Sequence, residues 1–209
     1  MHIVDGALSL PVLAVGTAVG FAGVGYGLTK VDYDRVPRVA VMSAAFFVSS
    51  LIHFPIGPSS IHLCLTGLMG LTLGWAVFPA LLVGLFLQAI MFGHGGLTVL
   101  GVNVTNMALP AVACHYLFGI AVKCWRTDAA AQAGFFAGAL AIGLAWTLTS
   151  LCLWFTGKEF LGLILIGWIP NSILMLIEGV LTASAVAFLR NVRPEVLDAS
   201  PENRAHGQI

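Results

Sequence analysis

Charged residues are scarce in this sequence. They make up only 9% of its 209 residues, whereas hydrophobic residues make up 59%; a soluble domain usually carries about 25% charged residues. No soluble fold of this size can remove so much apolar surface from water. The nine basic and nine acidic residues balance, so net charge gives no indication of a nucleic acid or an acidic partner. The composition therefore predicts a protein embedded in a lipid bilayer.

Several short motifs are also missing. The four cysteines form no C-x-x-C pair and lie in or beside apolar runs, so we expect them to be small buried hydrophobes. A phosphate-binding G-x-x-x-x-G-K-[ST] motif is absent, and so is H-E-x-x-H. No Lys or Arg precedes Lys30, and a cleavable signal peptide needs such a charged leading segment. We therefore expect the chain to keep its first residue, Met1.

Long apolar runs predict an all-α integral membrane protein with about seven transmembrane helices, because a spanning helix needs about 20 mostly apolar residues. The predicted spans cover residues 7–29, 39–52, 61–74, 75–92, 102–122, 129–155 and 160–189. Pro170 and Asn171 are expected to divide the last run into a lead-in segment and a helix. We predict one transmembrane metal-binding domain over residues 1–190 and a polar, disordered cytoplasmic tail over residues 191–209.

The distribution of basic residues predicts the orientation, because cytoplasmic loops collect Lys and Arg. With seven spans, Lys158 alone falls on one side of the membrane. The other side holds Lys30, Arg35, Arg38, Lys123, Arg126, Arg190, Arg193 and Arg204. The C-terminus is therefore predicted to be cytoplasmic and the N-terminus to be outside. This orientation places His2, His53, His62 and His94 at the outer face.

A histidine at position 2 can form a metal chelate with the chain terminus. The Met1 amine and the next amide nitrogen close a five-membered ring, and that amide and the His2 imidazole close a six-membered ring. The three nitrogens lie nearly in one plane, and a fourth nitrogen would complete a square. Square-planar nitrogen coordination suits Ni(II) or Cu(II), with Co(II) possible, whereas Zn(II) prefers a tetrahedron. A polar residue at a frayed terminus is the alternative explanation of His2.

His62 is the best candidate for the fourth ligand. It follows Pro58-Ser59-Ser60, which has the composition of a helix cap, and is expected to open the third span. His94 lies in Gly93-His94-Gly95-Gly96, where backbones can approach closely; we expect it to act as a gate or to support the ligands. His53 ends the second span. Interfacial packing or capping explains each of these histidines equally well.

These motifs resemble the CbiM/NikM family, the substrate-binding subunits of energy-coupling-factor (ECF) transporters for cobalt and nickel. The resemblance begins at Met1-His2-Ile3 and Asp5-Gly6 and extends to about Leu189. It is carried further by Phe54-Pro55-Ile56-Gly57, Ser60-Ile61-His62-Leu63, Phe92-Gly93-His94-Gly95-Gly96-Leu97-Thr98, residues 103–107 and Glu178-Gly179-Val180-Leu181-Thr182. One departure is Val4-Asp5-Gly6, where cobalt members often have Pro-Glu-Gly; it does not decide between the metals.

The resemblance implies that Co²⁺ or Ni²⁺ is the transported substrate and that no permanent cofactor is bound. The implied ligands are the Met1 amine, the His2 amide and imidazole, and the His62 imidazole. The implied partners are a transmembrane coupling (T) subunit, cytoplasmic ATPase subunits and often a small auxiliary membrane protein. The implied location is the cytoplasmic membrane of a bacterium or archaeon.

A few residues within the spans are candidates for supporting roles. Asn103 could orient a ligating imidazole, or it could simply hold helices together. Glu178 is the one clear intramembrane acid; a helix contact, a subunit interface and a structural hydrogen bond all remain open. Small residues four positions apart allow helices to pack closely. The pair Ala40 and Ala44 is our candidate for the contact with the coupling subunit.

Two other function classes compete with a transporter subunit. An intramembrane metalloenzyme would need an open metal position and a nearby base, and Glu178 is expected to lie away from the histidines. A self-sufficient channel or carrier would usually show ion sites in the middle of the membrane, whereas these histidines are expected at its rim. The sequence therefore favours a subunit that captures metal and leaves ATP hydrolysis to other chains.

Overall fold

The computed structural model describes residues 3–56 and 59–197, with residues 53–56 and 59–61 described by their backbone alone. Seven α-helices and one β-hairpin account for most of this part of the chain. The helices are α1 Leu10–Leu28, α2 Val36–Ser49, α3 Thr66–Leu73, α4 Val77–Phe92, α5 Leu100–Cys124, α6 Thr127–Thr156 and α7 Leu161–Val192. Strands β1 His53–Ile56 and β2 Ser59–His62 form the hairpin, and short 3-10 turns occupy Gly74–Ala76, Lys158–Phe160 and Pro194–Leu197.

The helices have the length and surface of membrane-spanning segments. Within the described residues, five helical stretches are long and apolar enough to cross a bilayer: Leu10–Leu28, Thr66–Phe92, Leu100–Cys124, Thr127–Thr156 and Lys158–Val192. Helix α2 is apolar but only 14 residues long. Large apolar side chains such as Phe155 and Ile120 are exposed on the outside of the bundle, as contact with lipid requires. The predicted helical membrane fold is confirmed; the number of spans and the orientation remain predictions.

The chain reverses direction between α3 and α4. Along α3, Gly70 packs against Ala111, and Trp75 just beyond the helix donates a hydrogen bond to the hydroxyl of Tyr116 at 2.8 Å. Residue numbers therefore rise together along α3 and α5, and the two helices run in the same direction. Gly74 then adopts a positive φ of 55°, a conformation that glycine tolerates best.

Helix α4 runs back along α1 in the opposite direction. Gly27, near the end of α1, faces Trp75 and Pro79 at the beginning of α4. Gly16, in the first half of α1, faces Val102 at the beginning of α5. Since a short loop joins the end of α4 to α5, α4 must travel from the end of α1 towards its start. The stretch Thr66–Phe92 is thus bent into two antiparallel helices.

The third apolar run does not begin as the sequence predicted. We expected a loop over residues 53–58 and a helix opened by Pro58-Ser59-Ser60; instead β1 and β2 pair antiparallel, with His53 opposite His62. Pro58 lies outside the described residues. Helix α3 begins only at Thr66, because Leu65 has a left-handed φ of 51° that a continuous helix cannot contain. His62 therefore ends a strand rather than opening a helix.

The last span also differs from the prediction. Pro170 does not divide it, and α7 runs without interruption from Leu161 to Val192. The side-chain amide of Asn171, the next residue, donates to the carbonyl of Gly167 at 2.8 Å. The polar tail was predicted to begin at residue 191, but the final 3-10 turn still buries Leu197. Residues 198–209 lie outside the described part of the chain.

Glycines allow the helices at the centre of the bundle to approach closely. A Cβ added to Gly138 in α6 would lie 2.5 Å from the main-chain oxygen of Glu178 and 2.6 Å from the hydroxyl oxygen of Thr182. A Cβ added to Gly67 in α3 would lie 2.5 Å from the Cα of Gly138. Helices α3, α6 and α7 therefore meet at a junction where larger residues would not fit, as the predicted small-residue packing requires.

We predict that Gly138→Ala destabilises the protein. The new methyl group would push α6 away from α7, and overpacking of this kind costs about 1–3 kcal/mol. Gly25→Ala in α1 is the matched control, because an added Cβ there would meet nothing within 4 Å. Thermal unfolding of the purified protein in detergent should show a lower midpoint for Gly138→Ala than for Gly25→Ala. Equal midpoints for both variants would contradict this account of the junction.

Candidate metal-binding site

The predicted ligands are only partly within the described structure. Met1 and His2 lie outside it, whereas the residues that hold the segment after them lie within it. Within residues 3–56 and 59–197, no group of three or more His, Cys, Asp or Glu side chains is close enough to hold a metal ion. Of the predicted donors, His62 alone belongs to the described part.

Asn103 holds the residue that follows His2. The main-chain amide of Ile3 donates to Oδ1 of Asn103 at 3.0 Å, and Nδ2 of Asn103 donates to the Ile3 carbonyl at 3.0 Å. Both residues are buried, and Ile3 packs with Val99 and Val102. One side chain thus pairs both polar groups of a buried residue, as a neighbouring strand would. Ile3 is therefore fixed at the beginning of α5.

Asp5 makes a second attachment close to the first. Its Oδ1 accepts the amide of Thr98 at 3.1 Å and the hydroxyl of Thr98 at 2.5 Å. Chiefly the Thr98 hydroxyl, with neighbouring amides, lowers the pKa of Asp5 below its usual value. This contact stabilises the fold above the usual Asp pKa, and the contribution is lost as the pH falls through the lowered pKa. The N-terminal segment therefore stays attached at neutral pH.

The glycines around His94 explain how the loop before α5 receives Asp5. A Cβ on Gly96 would overlap the Asp5 carboxylate, so glycine alone lets the loop approach this closely. His94 itself is exposed, and its ring centre lies 5.9 Å from that of Phe92. Its exposed ring contrasts with the buried ring of His62. A gating or supporting role for His94 remains a prediction.

His62 is buried, and its contacts distinguish its two ring nitrogens. Its Nδ1 lies 3.2 Å from the main-chain oxygen of Leu63. Since a carbonyl oxygen can only accept, this contact requires the proton on Nδ1 and leaves the lone pair on Nε2. The thiol of Cys64 lies 3.5 Å from Nδ1 and donates to the His62 carbonyl. Such contacts orient a histidine and set the nitrogen that ligates.

The contacts of Glu178 place the residues that follow His62 beside the middle of α7. The amides of Cys64 and Leu65 donate to Oε1 of Glu178, at 2.5 and 2.9 Å. Glu178 is the eighteenth of the 32 residues in α7, and two residues span at most about 7 Å. His62 therefore lies within about 7 Å of a residue that contacts the middle of α7, and its depth in the membrane remains a prediction. The expectation that Glu178 lies away from the histidines is corrected by the same contacts.

The remaining predicted site residues are Asn103, Ala40 and Ala44. Asn103 was expected to orient an imidazole, whereas in the described structure it contacts the main chain of Ile3. Ala40 and Ala44 are exposed on α2 and line a groove of about 380 Å³ between α2 and α4. The roles proposed for these residues remain predictions. No sequence pattern indicated the contacts of Asp5 or Cys64, and only the presence of an acid within a span drew attention to Glu178.

Comparison with known families identifies the family of this chain. The family model for CbiM, described as the cobalt uptake substrate-specific transmembrane region, matches residues 2–196. The chain belongs to the CbiM family. Cobalt or nickel transport by a membrane protein is therefore the established setting of this site, and the expectation of a transporter rather than an enzyme is confirmed by the names of the relatives.

Those CbiM-family relatives come from distant organisms. A putative metal transport protein of Haemophilus influenzae is 38% identical over 95% of this chain and 97% of its own length. The cobalt transport protein CbiM of Sorangium cellulosum is 33% identical, with 95% of each chain covered. A putative fused nickel transport protein NikMN of Archaeoglobus fulgidus is 31% identical over 95% of this chain and 68% of its own length.

Solved structures show the same CbiM-family fold. A truncated transition metal transporter superposes with a TM-score of 0.72 and 25% identity, covering 93% of this chain and 99% of that one. A second transition metal transporter gives a TM-score of 0.72 at 23% identity, covering 100% of this chain and 98% of that one. The fold is therefore that of transition metal transporters along almost its whole length.

We predict that Asn103→Ala weakens metal binding by about tenfold or more, as loss of a residue that orients ligands usually does. The substitution leaves the buried amide and carbonyl of Ile3 without the Asn103 partners. Asn106→Ala is the matched control: it lies one turn later, is equally buried, and its amide nitrogen lies a longer 3.5 Å from Thr149. Calorimetric titration with Ni²⁺ should separate the two variants. Equal affinities would rule out a special role for Asn103.

Proposed function

We propose that this chain is the substrate-binding subunit of an ECF-type importer for Co²⁺ or Ni²⁺. The ion would be held in a square by the Met1 amine, the amide and imidazole of His2, and Nε2 of His62. The observation that carries the proposal is the pairing of Asn103 with the main chain of Ile3. It fixes Ile3, the residue next to the proposed chelating dipeptide, inside the bundle.

The donor chemistry supports a square of nitrogens. Fused five- and six-membered rings keep the three terminal nitrogens nearly coplanar, and the His2 amide gives up its proton to the solvent when it ligates. The Leu63 carbonyl, 3.2 Å from Nδ1 of His62, directs the lone pair to Nε2. Four nitrogens in this arrangement favour Ni(II), with Co(II) possible. Fixed ligands lose little freedom on binding, which favours high affinity.

Transport would require other subunits. The sequence holds no phosphate-binding loop, so we propose that cytoplasmic ATPase subunits act through a transmembrane coupling subunit, with a small auxiliary membrane protein as a further partner. Exposed small residues on α2, Ala40 and Ala44, would let a helix of the coupling subunit approach closely. The ion would enter from the outer face of a cytoplasmic membrane. ATP depletion should then stop uptake, whereas a self-sufficient carrier would continue.

We predict that metal affinity depends on the position of His2 directly after Met1, and not only on the presence of the histidine. Inserting one Ala between Met1 and His2 keeps every side chain but enlarges the ring system, so the terminal nitrogens lose their alignment with His62. Ni²⁺ affinity should fall by at least about tenfold, as measured by calorimetry on protein whose free N-terminus is verified by mass spectrometry. A control insertion after Gly157, between α6 and α7, should leave affinity unchanged. Unaltered affinity after the N-terminal insertion would exclude this geometry.

We also predict that His62 and His94 have different roles. His62 is buried, whereas His94 is exposed in a loop. His62→Ala should abolish the absorbance of square-planar Ni²⁺, because one of four nitrogens is removed. His94→Ala should preserve the spectrum and slow uptake. The reverse result, with the spectrum lost only in His94→Ala, would exchange the two assignments.

A further inference from the structure

Glu178 holds two peptide groups that follow His62. Its Oε1 accepts the main-chain amide of Cys64 at 2.5 Å and that of Leu65 at 2.9 Å. Glu178 and Cys64 are both fully buried. Main-chain amides inside a membrane protein need an acceptor within the protein, because lipid offers none. One carboxylate of α7 therefore fixes the main chain just beyond β2.

The amide of Cys64 and the carbonyl of Leu63 belong to the same peptide group. A peptide group is planar, and this one is trans, so its N–H and its C=O point in opposite directions. While Glu178 accepts the N–H on one side, the oxygen of Leu63 has to face the other side. On that side it lies 3.2 Å from Nδ1 of His62, and it also accepts the hydroxyl of Ser49 at 3.3 Å.

The direction of the Leu63 carbonyl decides which ring nitrogen of His62 is free. A carbonyl oxygen can only accept, so it keeps the proton of the neutral ring on Nδ1 and the lone pair on Nε2. If this peptide group turned over, its N–H would face the ring and favour the lone pair on Nδ1 instead. The Cys64 thiol, which donates to the His62 carbonyl, lies 3.5 Å from Nδ1 and keeps the ring beside the same peptide group.

We propose that Glu178 is a positioning residue for the metal site. By holding the peptide group between Leu63 and Cys64, it sets the tautomer of His62 in which Nε2 is free to bind the ion. The inference deepens the proposed function and rests on it, because this tautomer affects transport only if His62 is a ligand. Glu178 acts through the peptide group, so position 178 needs a hydrogen-bond acceptor rather than a negative charge.

Nitrogen NMR of the full chain in detergent, with isotopically labelled histidine, measures the tautomer without any metal. The pH is kept well above the usual histidine pKa of about 6.5, so that the ring is neutral. His62→Ala assigns the signals of His62. Wild type should carry the proton on Nδ1, and Glu178→Leu should shift it towards Nε2, because the peptide group loses its acceptor. Glu178→Gln, which keeps an oxygen acceptor, should resemble wild type.

Asn171→Leu is the matched control for these variants. Asn171 is also a buried polar residue of α7, and its amide donates to the Gly167 carbonyl of the same helix. Its replacement removes a buried hydrogen bond of α7 but leaves the acceptor for Cys64 in place, so the tautomer should not change. If Glu178→Leu does not fold, Glu178→Asp carries the test. Its carboxylate is one methylene shorter and draws back from the two amides, so the proton should shift in the same direction.

Nickel binding is the second measurement. Calorimetry should show that Glu178→Leu lowers Ni²⁺ affinity by about tenfold or more, whereas Glu178→Gln and Asn171→Leu stay close to wild type. His62→Ala tests the proposed function separately. If its square-planar Ni²⁺ absorbance survived, His62 would not be a ligand, and the tautomer would still decide whether Glu178 orients the ring.

Three results would overturn the positioning role of Glu178. The first is a wild-type His62 that carries its proton on Nε2. The second is a folded Glu178→Leu, or Glu178→Asp in its place, that keeps either the wild-type tautomer or the wild-type Ni²⁺ affinity. The third is a Glu178→Gln that loses affinity as Glu178→Leu does, because an acceptor at position 178 would then not be sufficient.

Discussion

The two hydrogen bonds between Asn103 and Ile3 are the contact on which the proposed metal-binding arrangement depends. Within the described chain no strand or helix pairs the backbone of Ile3, and buried backbone groups left unpaired are costly. The Asn103 amide offers one donor and one acceptor to a single residue. Asp5 then ties the same segment to Thr98. A segment held at Ile3 and Asp5 would lose less freedom if the residues before it bound a metal.

The β-hairpin also contains main-chain groups that need hydrogen-bond partners within the bundle. Main-chain groups inside a membrane protein need partners because lipid offers none. Pairing of β1 with β2 supplies part of them, and the Glu178 carboxylate supplies an acceptor for the amides beyond β2. The acid that accepts the amides after the hairpin therefore also brings a carboxyl group next to the segment that carries His62. Glu178 thus both pairs main-chain amides and places an acidic side chain near His62.

Much of the fold could be predicted from the sequence because long apolar runs leave few alternatives in lipid. The run over 102–122 became Leu100–Cys124, and the run over 129–155 became Thr127–Thr156. The hairpin could not be predicted in this way. Short apolar segments fit either a strand or a helix. Leu65 adopts a left-handed φ, and its amide donates to Glu178 of α7. Pro170 likewise stays within α7, beside an asparagine that bonds to the helix backbone.

For the site, the sequence by itself determined the chemical character: a histidine at position 2, a second histidine after Pro58-Ser59-Ser60, and an environment nearly free of charge. Those features are local, and the order of residues encodes them directly. Only the tertiary structure decided that Asn103 holds the main chain of Ile3, that Asp5 meets Thr98, and that Glu178 lies beside the segment of His62. These pairs are about 90 to 115 positions apart in the chain, and such contacts depend on how the helices pack rather than on any local pattern.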